Sequence, residues 1–160
     1  MLFKISLFGL LLSGTALGAL VDSGVRNRIL ENRNCKACRA AGASFGDLDL
    51  SFVSFEAADL RNANFRGKDL TRAVFKGADL RGADLRGANL TETDFSEANL
   101  TGAILFGANL REAQFADAIL VKADLRKADF SAAQFNGANM AQALFTGAKL
   151  DNASFYGADM

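Results

Sequence analysis

The 160-residue sequence has no His, no Pro, no Trp, a single Tyr and only two Cys. Without His, the commonest general base and the commonest metal ligand are missing. Without Pro, every residue keeps its backbone N–H, which suits a fold of continuous coils that needs those donors. Long apolar runs are also missing, so a single-spanning membrane protein is not expected. Lys plus Arg and Asp plus Glu balance at 18 each, giving zero net charge. That balance argues against bulk electrostatic binding to nucleic acid and equally against an acidic mimic of it. What is present is 50% apolar residues, 22% charged residues, 15 Gly and 14 Phe. A disordered chain is thereby excluded, and the length fits one domain.

The first 18 residues read as a signal peptide. One charge, Lys4, precedes an apolar stretch from Ile5 to Leu12, followed by small residues from Ser13 to Ala19. A basic start, a short apolar run and small residues at alternate sites mark a secretory signal, and the run is too short for an anchor. Cleavage is expected after Ala16 or Gly18. The mature chain then begins near Ala19 and works outside the cytoplasm, in a periplasm, a thylakoid lumen or the extracellular space. No Cys follows the cleavage region, which argues against a lipoprotein.

From residue 43 onward every fifth residue is large and apolar. The series from Phe45 to Met160 holds 24 of 24 such residues: ten Phe, twelve Leu and two Met. Ala stands two residues before each in 20 of the 24 cases, the exceptions being Leu48, Val53, Lys68 and Thr93. The residue between is mostly Asp, Asn or Ser, and Gly often follows two residues later. A period of five fits neither a helix nor a simple strand, and it signals a repeat architecture. In an extended segment the Ala and the large residue point to the same side, inward, and the next two residues suit a turn. With 20 residues per coil, Phe55, Phe75, Phe95, Phe115, Phe135 and Phe155 fall into one column, whereas a 15-residue coil mixes Phe and Leu. Four sides is the better fit, and ring stacking supplies its physical reason.

The pattern in Ala78-Asp79-Leu80-Arg81-Gly82 and Ala83-Asp84-Leu85-Arg86-Gly87 resembles the pentapeptide-repeat family, over residues 43–160 without a break. The resemblance implies an all-β solenoid, a right-handed quadrilateral β-helix of about six coils. At about 4.8 Å per coil it would be roughly 29 Å long. Residues 19–42 form an expected N-terminal cap. Asp22 or Ser23 can cap a helix over about 23–32, with Val25, Ile29 and Leu30 as its apolar stripe, and the bulky inward Leu48 and Val53 suit an end that meets it. The last coil has no such cap, which leaves Phe145, Leu150, Phe155 and Met160 as a candidate dimer end. The resemblance implies end-to-end homodimers there, a two-fold contact being the commonest closed solution.

Cys35-Lys36-Ala37-Cys38 is the one motif with possible chemistry. Haem attachment needs a following His, and zinc needs further ligands, so no metal or cofactor is expected. In an exported protein the pair reads as a candidate disulfide tying the helix to the first coil, and both residues fall on inward positions. A redox-active pair is the alternative.

The outer surface offers two further candidates. Residues 61–90 carry net +4 and residues 91–120 net −4, and Arg61, Arg66, Arg81 and Arg86 form a candidate basic corner. Solvated cross-coil ion pairing is the alternative to docking. Ile104, Phe106, Ile119 and Val121 form a candidate apolar interaction patch, against scattered surface residues without a role.

Uninterrupted repeats with a filled interior supply neither loops nor a small-molecule pocket, so an enzyme is not expected. The leading expectation is an exported, non-catalytic scaffold that binds a protein partner of unknown identity, with no nucleic acid. The resemblance keeps open a DNA-mimic topoisomerase inhibitor, as in some relatives, although the signal peptide and zero charge speak against it. Ice binding through an outward Ser/Thr column meets an interrupted column at Arg111 and Asp151.

Overall fold

Each repeat carries five backbone N–H groups, and a coil packed on both sides by other coils must find acceptors for them. In the computed structural model, which describes residues 19–160, the repeat from Asp79 to Ala83 shows where they go. Asp79 N–H donates back to the Ala58 carbonyl (2.9 Å), while Leu80 and Gly82 donate forward to Asn99 (2.8 Å) and Thr101 (3.1 Å). Ala83 N–H closes the corner on the Leu80 carbonyl (2.9 Å). The fifth donor, Arg81 N–H, is taken by the Asp79 carboxylate (3.3 Å). The Asp or Asn before each large residue is thus a turn residue whose side chain satisfies the corner.

Parallel bridges link residues 20 apart, from Asn34–Ser54 to Asn139–Asp159. Four bridge positions fall in each 20-residue turn, each followed by a two-residue corner, so the chain winds as a four-sided parallel coil. The second corner residue is left-handed, and glycine takes that conformation without a Cβ penalty at Gly82 (φ 67°). The expected signal segment, residues 1–18, lies outside the described residues.

The interior is a ladder. Phe55, Phe75, Phe95, Phe115, Phe135 and Phe155 stack along one side, with successive ring centroids 4.7 to 5.1 Å apart and planes within 9° of parallel. Neighbouring sides meet edge to face, as Phe55 and Phe65 do at 5.8 Å. The alanines two residues earlier are equally buried, and they leave room for the rings. Thr93, inward where most repeats have Ala, donates its hydroxyl to the Leu70 carbonyl (3.0 Å). Lys68, the other polar exception, stays half-buried and turns its ammonium to the Gly46 carbonyl.

Helix α1 spans Ser23–Asn32. Asp22 caps it by accepting from Val25 N–H (2.9 Å), and left-handed Arg33 (φ 50°) ends it. Val25 and Ile29 are buried in one cluster with Leu48 and Val53. Leu30, expected on the same stripe, is instead 59% exposed, because it follows Ile29 directly and is rotated off the inner face. Cross-coil pairing already begins at Asn34, so Cys35 and Cys38 lie within the periodic part of the chain.

Candidate functional site

Within a repeat, the bridge residue and the first corner residue both face outward, so Asp-x-Arg places a carboxylate beside a guanidinium. Arg61, Arg81, Arg86 and Arg126 each donate through Nε and Nη2 to the Asp two residues earlier; for Arg81 these distances are 2.8 and 2.6 Å. Three of the four basic-corner arginines, Arg61, Arg81 and Arg86, are therefore held within the rod. Arg66 differs, because Asn64 stands where the others have Asp. Asn64 Oδ1 accepts the Arg66 backbone N–H (3.0 Å), and among the described residues no carboxylate lies within 4.0 Å of its guanidinium.

The basic and acidic bands are likewise stitched to each other. Arg72 pairs with Glu92 at 2.7 Å and Lys76 with Glu97 at 3.2 Å, one coil apart. Arg111 and Lys149 both approach Asp129, at 3.6 and 3.9 Å. These pairs are exposed, so each contributes little stability.

Their titration is still readable. The partner guanidinium holds Asp59, Asp79, Asp84 and Asp124 below the usual carboxylate range. Asp49 is lowered to about 2, first by the Ser51 hydroxyl and amide and then by Arg33. Carboxyls with depressed folded pKa values stabilise the fold above the unfolded value and lose that contribution as pH falls through the folded one. Thermal midpoints are therefore expected to stay level from about pH 6 to 8, where no His titrates, and to fall between about pH 4 and 2. A midpoint that holds steady down to about pH 2 would contradict this assignment.

The apolar candidates occupy the same outward positions. Ile119 is 39% and Phe106 36% exposed, whereas Ile104 and Val121 are half-buried. Ile104 stands at the bridge position between Asp84 and Asp124. It cannot accept the hydrogen bond that Asx supplies elsewhere, and among the described residues Phe106 N–H has no acceptor. Ile104→Asn is therefore expected to restore the corner bond and raise stability by about 0.5 to 1 kcal/mol in urea denaturation. A loss of stability would mean that the Ile104 side chain packs more strongly than the turn bond is worth.

Arg126 and Lys127, from the following coil, lie over the Phe106 ring at 5.8 and 5.4 Å. Beside the ring an open groove of about 310 Å³ is lined by Arg66, Arg86, Gly87, Phe106 and Gly107. The structure thus joins one member of the apolar patch to two of the basic corner, a juxtaposition visible only once the 20-residue register is applied to the outward residues.

Cys35 and Cys38 form a disulfide and are 0% and 3% exposed. Of the candidate dimer end, Phe145 and Phe155 are half-buried, while Leu150 and Met160 are 38% and 77% exposed. The outward hydroxyls of Ser51, Thr71, Thr91 and Ser131 all donate to the Asx two residues earlier. They form a column of satisfied turns rather than a free hydroxyl lattice.

The sequence matches the pentapeptide repeats family in 8 copies, over residues 34–67, 69–107, 93–131, 108–147 and 128–160. No curated protein matches it. Among solved structures it resembles QnrB1, a plasmid-mediated fluoroquinolone resistance protein, with TM-score 0.70 at 21% identity over 79% of this chain. The chain spans 65% of that structure's length. A pentapeptide repeat protein from Nostoc Pcc 7120 is 33% identical, with TM-score 0.52, over 60% of this chain and 83% of its own.

Proposed function

The chain belongs to the pentapeptide-repeat family, and on that premise we propose that it is an exported, non-catalytic scaffold whose outer faces dock a protein partner. The observation that carries this reading is the filled interior. Phe, Leu and Ala close the lumen from Phe45 to Met140 at 1% exposure or less on nearly every inward position, so recognition falls to the faces and corners. In this reading the coil is right-handed, about six turns long, and α1 serves as the cap that covers Leu48 and Val53. Export is supported by the order of residues in 1–18 and by the Cys35–Cys38 disulfide, which persists in oxidising compartments.

The deep burial of both sulfurs favours a structural bond over a redox site. A Cys35→Ser/Cys38→Ser variant is expected to lose about 2 kcal/mol, the chain-entropy value for so short a loop, and to keep partner binding. Loss of binding with unchanged stability would favour the redox reading. Phe145, Leu150, Phe155 and Met160 are proposed to meet a second copy. Sedimentation at micromolar concentration is expected to show a dimer, and a pure monomer would refute that contact.

The main test is fractionation followed by cross-linking in the exported compartment. Mature protein beginning near Ala19, cross-linked to one protein in stoichiometric yield, is the expected result. Retention of residues 1–18 in a cytosolic fraction would overturn the export reading, and absence of any protein cross-link the docking one.

A further inference from the structure

Residues 66, 86, 106 and 126 stand at one corner of four successive coils, and the column reads Arg, Arg, Phe, Arg. Phe106 interrupts a line of arginines. Its coil is also the one in which Ile104 replaces the Asx that caps the corner, so an apolar row crosses a charged face between the Asp84–Arg86 and Asp124–Arg126 forks. The groove beside the ring has a bare floor, because its second corner residues are Gly87 and Gly107. A Cβ built on either would meet nothing within 4 Å.

Three recognition elements converge here. The Arg66 guanidinium lacks the carboxylate that Arg61, Arg81, Arg86 and Arg126 each possess. The Phe106 ring, with Arg126 and Lys127 over it, remains 36% exposed and lines the groove. Phe106 N–H is a free main-chain donor. Arg66 and Phe106 are two coil steps apart, roughly 10 Å at the usual strand spacing. Two side chains on the same side of an extended peptide, about 7 Å apart at their Cα atoms, can reach both.

We propose that the groove between Arg66 and Phe106 docks an acidic-apolar protein segment, with a carboxylate on Arg66 and an apolar side chain two residues away against the Phe106 ring. Charge decides between protein and polyanion. Of the groove's two guanidiniums only Arg66 lacks a carboxylate within 4.0 Å, Lys127 over the ring likewise has none among the described residues, and Asp84 and Asp124 stand between these cations, so a phosphate polymer or an anionic bilayer would meet carboxylates along the row. A short segment with one carboxylate on Arg66 avoids them.

This inference rests on the reading of the rod as a protein-docking scaffold, and its test separates the two. The full chain, labelled with nitrogen-15, is titrated with the capped peptide acetyl-Glu-Ser-Leu-amide, and backbone amide and arginine side-chain shifts are followed. Saturable shifts at Gly87, Phe106, Gly107 and the Arg66 Nε–H are expected, with affinity in the millimolar range. Replacing peptide Glu by Gln, or Arg66→Gln in the protein, is expected to weaken binding about tenfold. Phe106→Ser is expected to abolish the groove shifts; should that variant fail to fold, Arg66→Gln decides alone. Absence of shifts in the groove, affinity unchanged by Arg66→Gln, or equal saturation by inorganic phosphate or anionic vesicles would each overturn the proposal. Cross-linking of a protein to another face would also overturn it, while leaving the scaffold reading intact.

Discussion

Phe95→Ala is expected to lower unfolding free energy by about 4 kcal/mol, in the middle of the range for buried aromatic truncations. Phe95 has no solvent exposure and stacks on Phe75 at 5.1 Å and on Phe115 at 5.0 Å, nearly parallel to both. Truncation removes two ring contacts and opens a void that backbone shifts cannot close, because coils above and below are tied by hydrogen bonds such as Phe95 N–H to the Gln114 carbonyl (2.7 Å). Phe155 supplies the internal comparison. It stacks on Phe135 alone and is half-buried, so Phe155→Ala is expected to cost about half as much. Urea denaturation of both variants is the measurement. Equal losses at the two positions would show that the stack does not contribute as a ladder.

Leu100→Asp is expected to cost more, roughly 5 kcal/mol or above, which approaches the whole stability of many domains. Leu100 is fully buried, and its phase places it between Leu80 and Leu120, so an introduced carboxylate finds no partner among apolar neighbours. In a solenoid each coil touches only its neighbours, so the defect severs the cooperative unit in the middle. Burial raises the pKa of the new carboxyl above its unfolded value. Its neutral form is therefore tolerated better, and the deficit relative to the parent protein should shrink from about pH 7 to about pH 4.5. That slope is opposite in sign to the effect of the surface Asp-x-Arg forks, which weaken only as pH drops below about 4. Thermal melts of parent and variant at both pH values measure it. Leu100→Met, which conserves volume, should cost less than about 1.5 kcal/mol. An equal deficit at the two pH values would show that the carboxyl escapes to solvent.

The groove beside Phe106 was only half legible. Arg66, Arg86 and Phe106 all stood out as charged or apolar residues at outward positions, but in two separate candidates. The five-residue phase places all three on the outside, and only the corner geometry at the 20-residue register brings Arg66, Arg86 and Phe106 to one groove. The Asx role is hidden in the sequence for a different reason. Asp79 looks like a surface residue because it is polar and points out, and only its bond to Arg81 N–H reveals it as part of the turn. The same bond explains why Ile104 leaves a free donor. A ten-residue helix gives too few periods to separate exposed Leu30 from the adjacent buried Ile29.

The sequence by itself determined the interior of this protein. A side chain in an uninterrupted five-residue period has one of two fates, in or out, and large apolar residues recurring in phase 24 times leave only one consistent winding. It also determined the helix at Ser23–Asn32 through its cap and its two buried residues. The free charge at Arg66 is also written locally, because Asn64 stands where Arg61, Arg81 and Arg86 have an Asp two residues earlier. What the tertiary structure alone decided was the cross-coil pairing of Arg72 with Glu92 and of Lys76 with Glu97, and the groove that joins Arg66 to Phe106. Burial and the Asp-x-Arg fork are properties of one repeat, whereas cross-coil pairs and groove formation depend on distances between residues 20 or 40 apart, which exist only after the coils have stacked.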